Sequence, residues 1–101
     1  MERKLTAIMF TDIVGYSKIM STNEKIGLEL LDAQSELVLP IIKNFNGKIL
    51  KKMGDAFFVD FSSSINAIEC SVEIQKALKD YNASKDSRKK LLLRIGLHIG
   101  D

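Results

Sequence analysis

What the chain has little of already excludes several classes of protein. Its one cysteine, Cys70, cannot form a disulfide within the chain, which fits a reducing compartment, so we expect a cytoplasmic protein. No apolar run approaches the roughly 20 residues needed to cross a bilayer, and the apolar stretch near the N-terminus is too short for a signal peptide. A formal net charge of +2 gives no electrostatic reason to expect nucleic acid or an anionic membrane as a partner.

With one proline and six glycines, the chain has few breaks, and short apolar runs between them predict strands. The first predicted strand covers residues 4–12, and the last is the run "LLLRIGLHIGD" at the end of the chain. Between them, residues 48–61 predict a β-hairpin that turns at Met53 and Gly54.

Two long amphipathic patterns and one short segment, "GYSKIMS", predict helices. A capping box of Ser21 and Glu24 is expected to begin the first long helix, Pro40 to kink it, and Gly47 to follow its end in a left-handed conformation. The second runs from about Ser64 to Asn82. The apolar positions expected to pack inwards are Ile26, Leu30, Ala33, Leu37 and Ile41 in the first, and Ile65, Ile68, Val72, Leu78 and Tyr81 in the second.

The order of these elements predicts the fold class. Strand, helices, strand, strand, helix, strand is the βαββαβ order of ferredoxin-like α+β folds, an antiparallel sheet with helices on one face. We see no linker and no repeat, so residues 1–101 are expected to form a single domain.

Two aspartates attract attention because of where this topology places them. Asp12 is expected to end the first strand and Asp55 to begin the third. These strands are antiparallel neighbours in the predicted sheet, so both carboxylates should lie at the same end of it. Two carboxylates brought together repel unless a cation lies between them. A hard cation such as Mg²⁺ takes one or two carboxylates together with substrate phosphates.

The turn "IVGYS" follows Asp12 at once. Gly15 allows a tight backbone turn, and the amides of residues 14–17 lead into a predicted helix. Backbone N–H groups at the start of a helix bind phosphate. Enzymes that transfer phosphoryl or nucleotidyl groups combine a carboxylate-bound metal ion with such a phosphate-binding turn.

Three motifs taken together, "FTDIVGYS", "KKMGDAFF" and "RIGLHIGD", resemble the catalytic domain of class III nucleotidyl cyclases, the adenylate and guanylate cyclases. The bacterial branch of that family is the most similar. The resemblance runs from about Lys4 to Asp101 and covers only the front half of a family domain. We therefore expect the chain to be the N-terminal portion of a longer cyclase domain, and to make little or no cyclic nucleotide alone.

The resemblance implies a role for each motif residue. Asp12 and Asp55, with the backbone carbonyl of Ile13, would hold two divalent ions, Mg²⁺ or Mn²⁺. Substrate phosphates would be bound by the amides of the turn, which belong to Val14, Gly15, Tyr16 and Ser17.

By the same resemblance, Lys51 lies where adenylate cyclases carry a lysine that recognises the nucleotide base. Guanylate cyclases carry a glutamate at that position. A lysine donates to adenine N1, which is an acceptor, so the expected substrate is ATP and the product cyclic AMP. In the family this lysine serves the partner subunit's site, which implies a head-to-tail homodimer. A simpler interpretation is that Lys51 is an exposed lysine on a strand, with no contact to substrate.

Other functions remain open beside this one. A guanylate cyclase of the same class is the first alternative, and a non-catalytic cyclase-like domain kept for dimerisation or nucleotide sensing is another. A diguanylate cyclase is disfavoured because the hairpin "MGDAFF" lacks the second acid of that family. Simple structural roles are expected for His98, for Cys70, for an ion pair of Arg94, and for the sheet-core residues Phe57, Phe58, Val59 and Phe61.

Overall fold

A four-stranded antiparallel sheet with helices packed on one face forms the structure, a computed structural model that describes residues 5–100. The strand order is β2-β3-β1-β4, and every neighbouring pair is antiparallel. This confirms the predicted ferredoxin-like fold. The elements are β1 (Thr6–Ile13), α1 (Tyr16–Thr22), α2 (Glu24–Asn44), β2 (Lys48–Met53), β3 (Ala56–Phe61), α3 (Ser64–Asn82) and β4 (Leu93–Gly100), with a single 3-10 turn at Ser87–Lys89.

The two faces of the sheet differ in what covers them. Alternate residues of β1 and β3 are buried beneath the helices, as the period of two in a strand requires. We call the other side the open face, and there Phe10 remains 45% exposed. Its ring lies on Gly96 of β4, where an added Cβ would come within 2.1 Å of it. The open-face residues of β1, β3 and β4 include Ile8, Phe10, Asp12, Phe58, Asp60, Arg94, Gly96 and His98.

The ends of α2 differ from their predicted form. Asn23, not Ser21, is the N-cap, and its side chain accepts a hydrogen bond from the amide of Ile26 at 3.2 Å. At the other end the left-handed residue is Asn46, with φ 60°, rather than Gly47. Gly47 serves packing instead, since a Cβ there would lie 2.7 Å from Ile42 and 2.9 Å from the Phe61 ring. The helix continues through Pro40.

The buried faces of both long helices were predicted only in part. In α2, Ile26 and Leu30 are buried as expected, but the face continues through Gln34, Val38 and Ile42. The predicted Ala33, Leu37 and Ile41 lie at its flank, partly buried. In α3 only Leu78 of the predicted set is fully buried, while Tyr81 packs partly against the core; Ile65, Ile68 and Val72 are exposed, and the core side chains are Ala67, Cys70, Ile74 and Leu78.

Small shifts at the strand ends matter for the site. Strand β1 ends at Ile13, one residue after Asp12, and Asp55 lies in the hairpin turn just before β3.

Phe58 is on the open face, so it does not join Phe57, Val59 and Phe61 in the core. His98 is exposed rather than packed. The predicted strand residues Lys4 and Asp101 lie outside the described residues. Within residues 5–100, no helix has the length and apolar character to cross a membrane.

Candidate active site

Asp12 and Asp55 do lie at one end of the sheet, and a hydrogen bond ties the two segments together. The amide of Ile13, the residue after Asp12, donates to Oδ2 of Asp55 at 2.8 Å. Asp55 follows Gly54, whose φ of 56° makes the hairpin turn. Both aspartates are partly buried. The prediction that distant sequence positions bring two carboxylates together at this end therefore agrees with the geometry.

Arg94 lies directly across from Asp12, in the register of β1 and β4. Its guanidinium donates from Nε to Oδ1 of Asp12 at 2.8 Å and from Nη2 to Oδ2 at 3.0 Å. The hydrogen bond and charge of Asp12, and to a lesser extent the charge of Asp55, raise the pKa of Arg94 above its usual range. The expected ion pair of Arg94 is thus made with a site residue, a partner that the strand pattern alone did not reveal. The guanidinium of Arg94 thus already holds the Asp12 carboxylate.

The donor set at this end fits a divalent ion that completes its coordination elsewhere. Among residues 5–100, no three His, Cys, Asp or Glu side chains lie together as a metal-binding group. Two carboxylates are nevertheless what a Mg²⁺ ion takes from a protein when substrate phosphates supply further oxygens. The Arg94 guanidinium bound to Asp12 shows that this end of the sheet accepts a positively charged group.

The turn after Asp12 has the predicted glycine but offers fewer free amides than expected. Gly15 has φ 70° and precedes α1, a conformation that favours glycine. The amide of Val14, however, already donates to the carbonyl of Leu92 at 2.8 Å, so it is not free for a phosphate. The amides of Gly15, Tyr16 and Ser17 remain at the start of α1, where a helix provides no internal acceptor.

Lys51 lies on the opposite edge of the sheet from Arg94, and a β-bulge sets its direction. Ile49 pairs with Val59 but Lys51 pairs with Phe58, so Leu50 is an extra residue in β2. Without that bulge, Lys51 would point to the helix side. With it, Lys51 shares the open face with Asp12, although β3 lies between their strands. Its side chain is exposed.

Gln34 also touches the site, and sequence patterns gave no reason to select it. This side chain is fully buried in α2, and its Nε2 donates to the backbone carbonyl of Asp55 at 2.9 Å. Its spacing of four residues from both Leu30 and Val38 is the signal that could have revealed its burial.

Comparison with known proteins identifies the family of this chain. Residues 2–101 match the family model described as the adenylate and guanylate cyclase catalytic domain. The chain belongs to the adenylate and guanylate cyclase family. A relative from Rhizobium meliloti (strain 1021), named "Putative adenylate cyclase 3", is 36% identical over 100 residues; these cover 98% of this chain and 17% of that protein.

Solved structures give the same fold. The adenylate/guanylate cyclase/hydrolase of Silicibacter pomeroyi is 34% identical, with a TM-score of 0.83 over 98% of this chain and 58% of that one. A bacterial light-regulated adenylyl cyclase, 23% identical, superposes with a TM-score of 0.83 over 96% of this chain and 54% of that one. The cyclase-family chain described here therefore spans little more than half of these structures and less than a fifth of the Rhizobium protein.

Proposed function

We propose that this chain is the metal-binding part of an adenylate cyclase catalytic domain, which converts ATP to 3′,5′-cyclic AMP and pyrophosphate. The observation that carries the proposal is the junction of Asp12 and Asp55 through the 2.8 Å hydrogen bond from the Ile13 amide. This junction lies in a chain of the cyclase family.

Asp12, Asp55 and the backbone carbonyl of Ile13 would hold two divalent ions, Mg²⁺ or Mn²⁺. When bound, such ions lower the pKa of the ribose 3′-hydroxyl and neutralise charge on the triphosphate. The protein's own part is to fix its oxygen ligands. Asp12 sits inside a central strand, and Asp55 is held by a backbone amide of that strand. Rigid placement of ligands is what makes a metal site effective.

The amides of Gly15, Tyr16 and Ser17 are proposed to donate to phosphate oxygens. Gly15 keeps this backbone accessible, since no atom outside Gly15 and its two chain neighbours lies within 4 Å of the position its Cβ would take. Helix α1 has only seven residues, so the direct amide hydrogen bonds, rather than a long helix dipole, would supply the binding.

ATP is the proposed substrate because Lys51 donates hydrogen bonds and adenine N1 accepts them. The name of the Rhizobium relative favours the same substrate, while the name of the Silicibacter structure includes both cyclase activities. A guanylate cyclase is accordingly the second candidate. A non-catalytic domain that only dimerises or binds nucleotide is the third.

A second copy of the chain is the proposed partner. Lys51 and Asp12 share the open face but lie on strands separated by β3. In a head-to-tail homodimer, Lys51 of one subunit would contact the base of the nucleotide whose phosphates lie at Asp12 and Asp55 of the other. The exposed Phe10 on the open face gives that pairing an apolar surface to cover. As only part of the length of its relatives is present, the chain alone is proposed to have little activity.

The test is cyclic nucleotide synthesis by a protein that carries the complete domain. With Mn²⁺ or Mg²⁺ it should make cyclic AMP from ATP, and Asp12→Asn should abolish the product. Asp60→Asn is the matched control, because Asp60 is a half-buried open-face aspartate at the other end of β3. Full activity of the Asp12→Asn protein would reject the two-metal assignment. Nucleotide binding without any product would favour the non-catalytic candidate.

A further inference from the structure

Gln34 is a polar side chain in an apolar place. It lies at the middle of α2, fully buried between Leu30 and Val38 on the face that packs on the sheet. A buried amide costs free energy unless it is hydrogen-bonded. An apolar residue of similar size would pack there without that cost, so packing alone does not account for a glutamine.

The hydrogen bond that Gln34 makes leads to the candidate metal site. Its Nε2 donates to the carbonyl oxygen of Asp55 at 2.9 Å, across 21 residues of sequence. Within residues 5–100 it is the one side-chain hydrogen bond that joins α2 to the β2–β3 hairpin. Helix α2 therefore holds the backbone of the residue whose carboxylate faces β1.

Asp55 is therefore held at two points, its backbone carbonyl and its side-chain carboxylate. Its backbone carbonyl accepts from Gln34, and its Oδ2 accepts from the Ile13 amide at 2.8 Å. The β2 arm that leads into the turn is an edge strand, and all six of its residues are exposed. A turn at the tip of an exposed hairpin moves easily, and a metal ligand must not.

The hydrogen bond to Asp55 is the one that the described residues give to the Gln34 side chain. Its Oε1 is buried and finds no protein hydrogen-bond partner among residues 5–100. Replacing the glutamine with an apolar side chain of similar size would therefore remove the link to Asp55 while keeping the volume that the side chain fills.

We propose that Gln34 is a positioning residue, which fixes the Asp55 carboxylate by holding the Asp55 carbonyl to α2. The consequence for metal affinity rests on the proposed function, but the consequence for the geometry of Asp55 does not. Supports of this kind around a ligand typically change metal affinity by roughly 10–100-fold when removed.

The experiment compares two amides by hydrogen exchange in the metal-free chain, followed by Mn²⁺ titration. In Gln34→Met, the protection of the Ile13 amide should fall about tenfold relative to that of Met9, which lies in the middle of the same strand. The Mn²⁺ dissociation constant should rise about tenfold. The matched control is Val38→Ala, one turn along the same buried face; it should lower global stability and leave both the Ile13-to-Met9 ratio and the Mn²⁺ affinity unchanged.

The outcomes separate the inference from the proposed function. An unchanged Ile13-to-Met9 ratio in Gln34→Met, or an equal change in Val38→Ala, would overturn the positioning role. If the wild-type chain binds no Mn²⁺, the metal assignment fails, yet the exchange ratio still decides the role of Gln34. Should Gln34→Met not fold, the wild-type side-chain amide of Gln34 provides the second measurement. Its protons should exchange slowly and should shift on replacing Asp55 with Asn; fast exchange would contradict the inference.

Discussion

Asp55 and Lys51 lie four residues apart in one hairpin, yet the structure holds them very differently. Asp55 is bonded to α2 through its carbonyl and to β1 through its carboxylate. Lys51 extends from an edge strand that is exposed at every residue. A metal ligand needs a fixed position, whereas a side chain that serves another subunit needs an accessible one. This contrast fits the proposal that a metal site is formed within one chain, while the proposed base-recognition residue serves a second chain.

The largest expected effect concerns the packing behind the hairpin. Phe57, 1% exposed on the helix side of β3, should cost about 3–5 kcal/mol of unfolding free energy when replaced with alanine, because a large cavity remains. Leu50→Ala is the control, since Leu50 is 53% exposed at the bulge of β2 and should cost well under half as much. Urea denaturation measures both. Equal losses of unfolding free energy in the two variants would mean that β2 and β3 contribute equally to the packing of the core.

The next effect concerns the carboxylate itself. Asp55→Asn should weaken Mn²⁺ binding more than about 100-fold, since losing a ligand exceeds the roughly 10–100-fold effect of losing a supporting residue. Asp60→Asn, on the same strand and further from the turn, should leave the affinity within about twofold. Isothermal titration in the absence of nucleotide gives both constants. Similar affinities for the two variants would move the metal away from the β1 end.

Lys51 should affect specificity rather than stability. In a protein with the complete domain, Lys51→Glu should shift the ATP-to-GTP ratio of kcat/KM about tenfold towards GTP, since a hydrogen bond to a charged group contributes roughly 1.5–3 kcal/mol. Lys52→Glu makes the same charge change one residue later, where the ammonium lies 5.4 Å from the Phe57 ring centre, and should leave the ratio unchanged. If both variants shift it equally, the effect is general electrostatics, and Lys51 does not contact the base.

The smallest effect concerns Arg94, whose guanidinium is paired with the Asp12 carboxylate. Its side chain is 69% exposed, and exposed ion pairs contribute roughly 0.2–1 kcal/mol. Arg94→Gln should therefore tighten nucleotide-free Mn²⁺ binding, by at most about fivefold. Arg88→Gln removes a similarly exposed arginine, paired with Asp86 at 3.9 Å, and should have no effect. Weaker binding in Arg94→Gln would show that the guanidinium supports the metal site rather than competing for Asp12.

Some parts of the fold and site were predictable because local patterns carry them. The hairpin around Gly54, the helix from Ser64 to Asn82 and the convergence of Asp12 with Asp55 follow from apolar periodicity and strand order. The buried face of α3 was not predictable in this way. Its larger side chains at Ile65, Ile68 and Val72 are exposed, while smaller ones such as Ala67 and Cys70 pack inwards. Residue size and hydropathy therefore indicated the wrong side for the first half of that helix, although the predicted Leu78 is buried.

Arg94 and Gln34 show why the rest of the site was missed. An arginine in a strand has many possible partners, and only the register of β4 against β1 puts this one opposite Asp12. A glutamine in a helix is usually exposed, and only the packing of α2 beneath the hairpin turn brings its amide to Asp55.

The sequence by itself determined the order of strands and helices, the two acidic residues that end up together, and the glycine turn beside them. Tertiary structure alone decided which helix faces are buried, which side of the sheet Lys51 occupies, and which cation holds Asp12. The physical reason is that periodicity and turn chemistry act over a few neighbouring residues. Strand register, a bulge such as that at Leu50, and a buried hydrogen bond such as that of Gln34 depend on segments far apart in the chain.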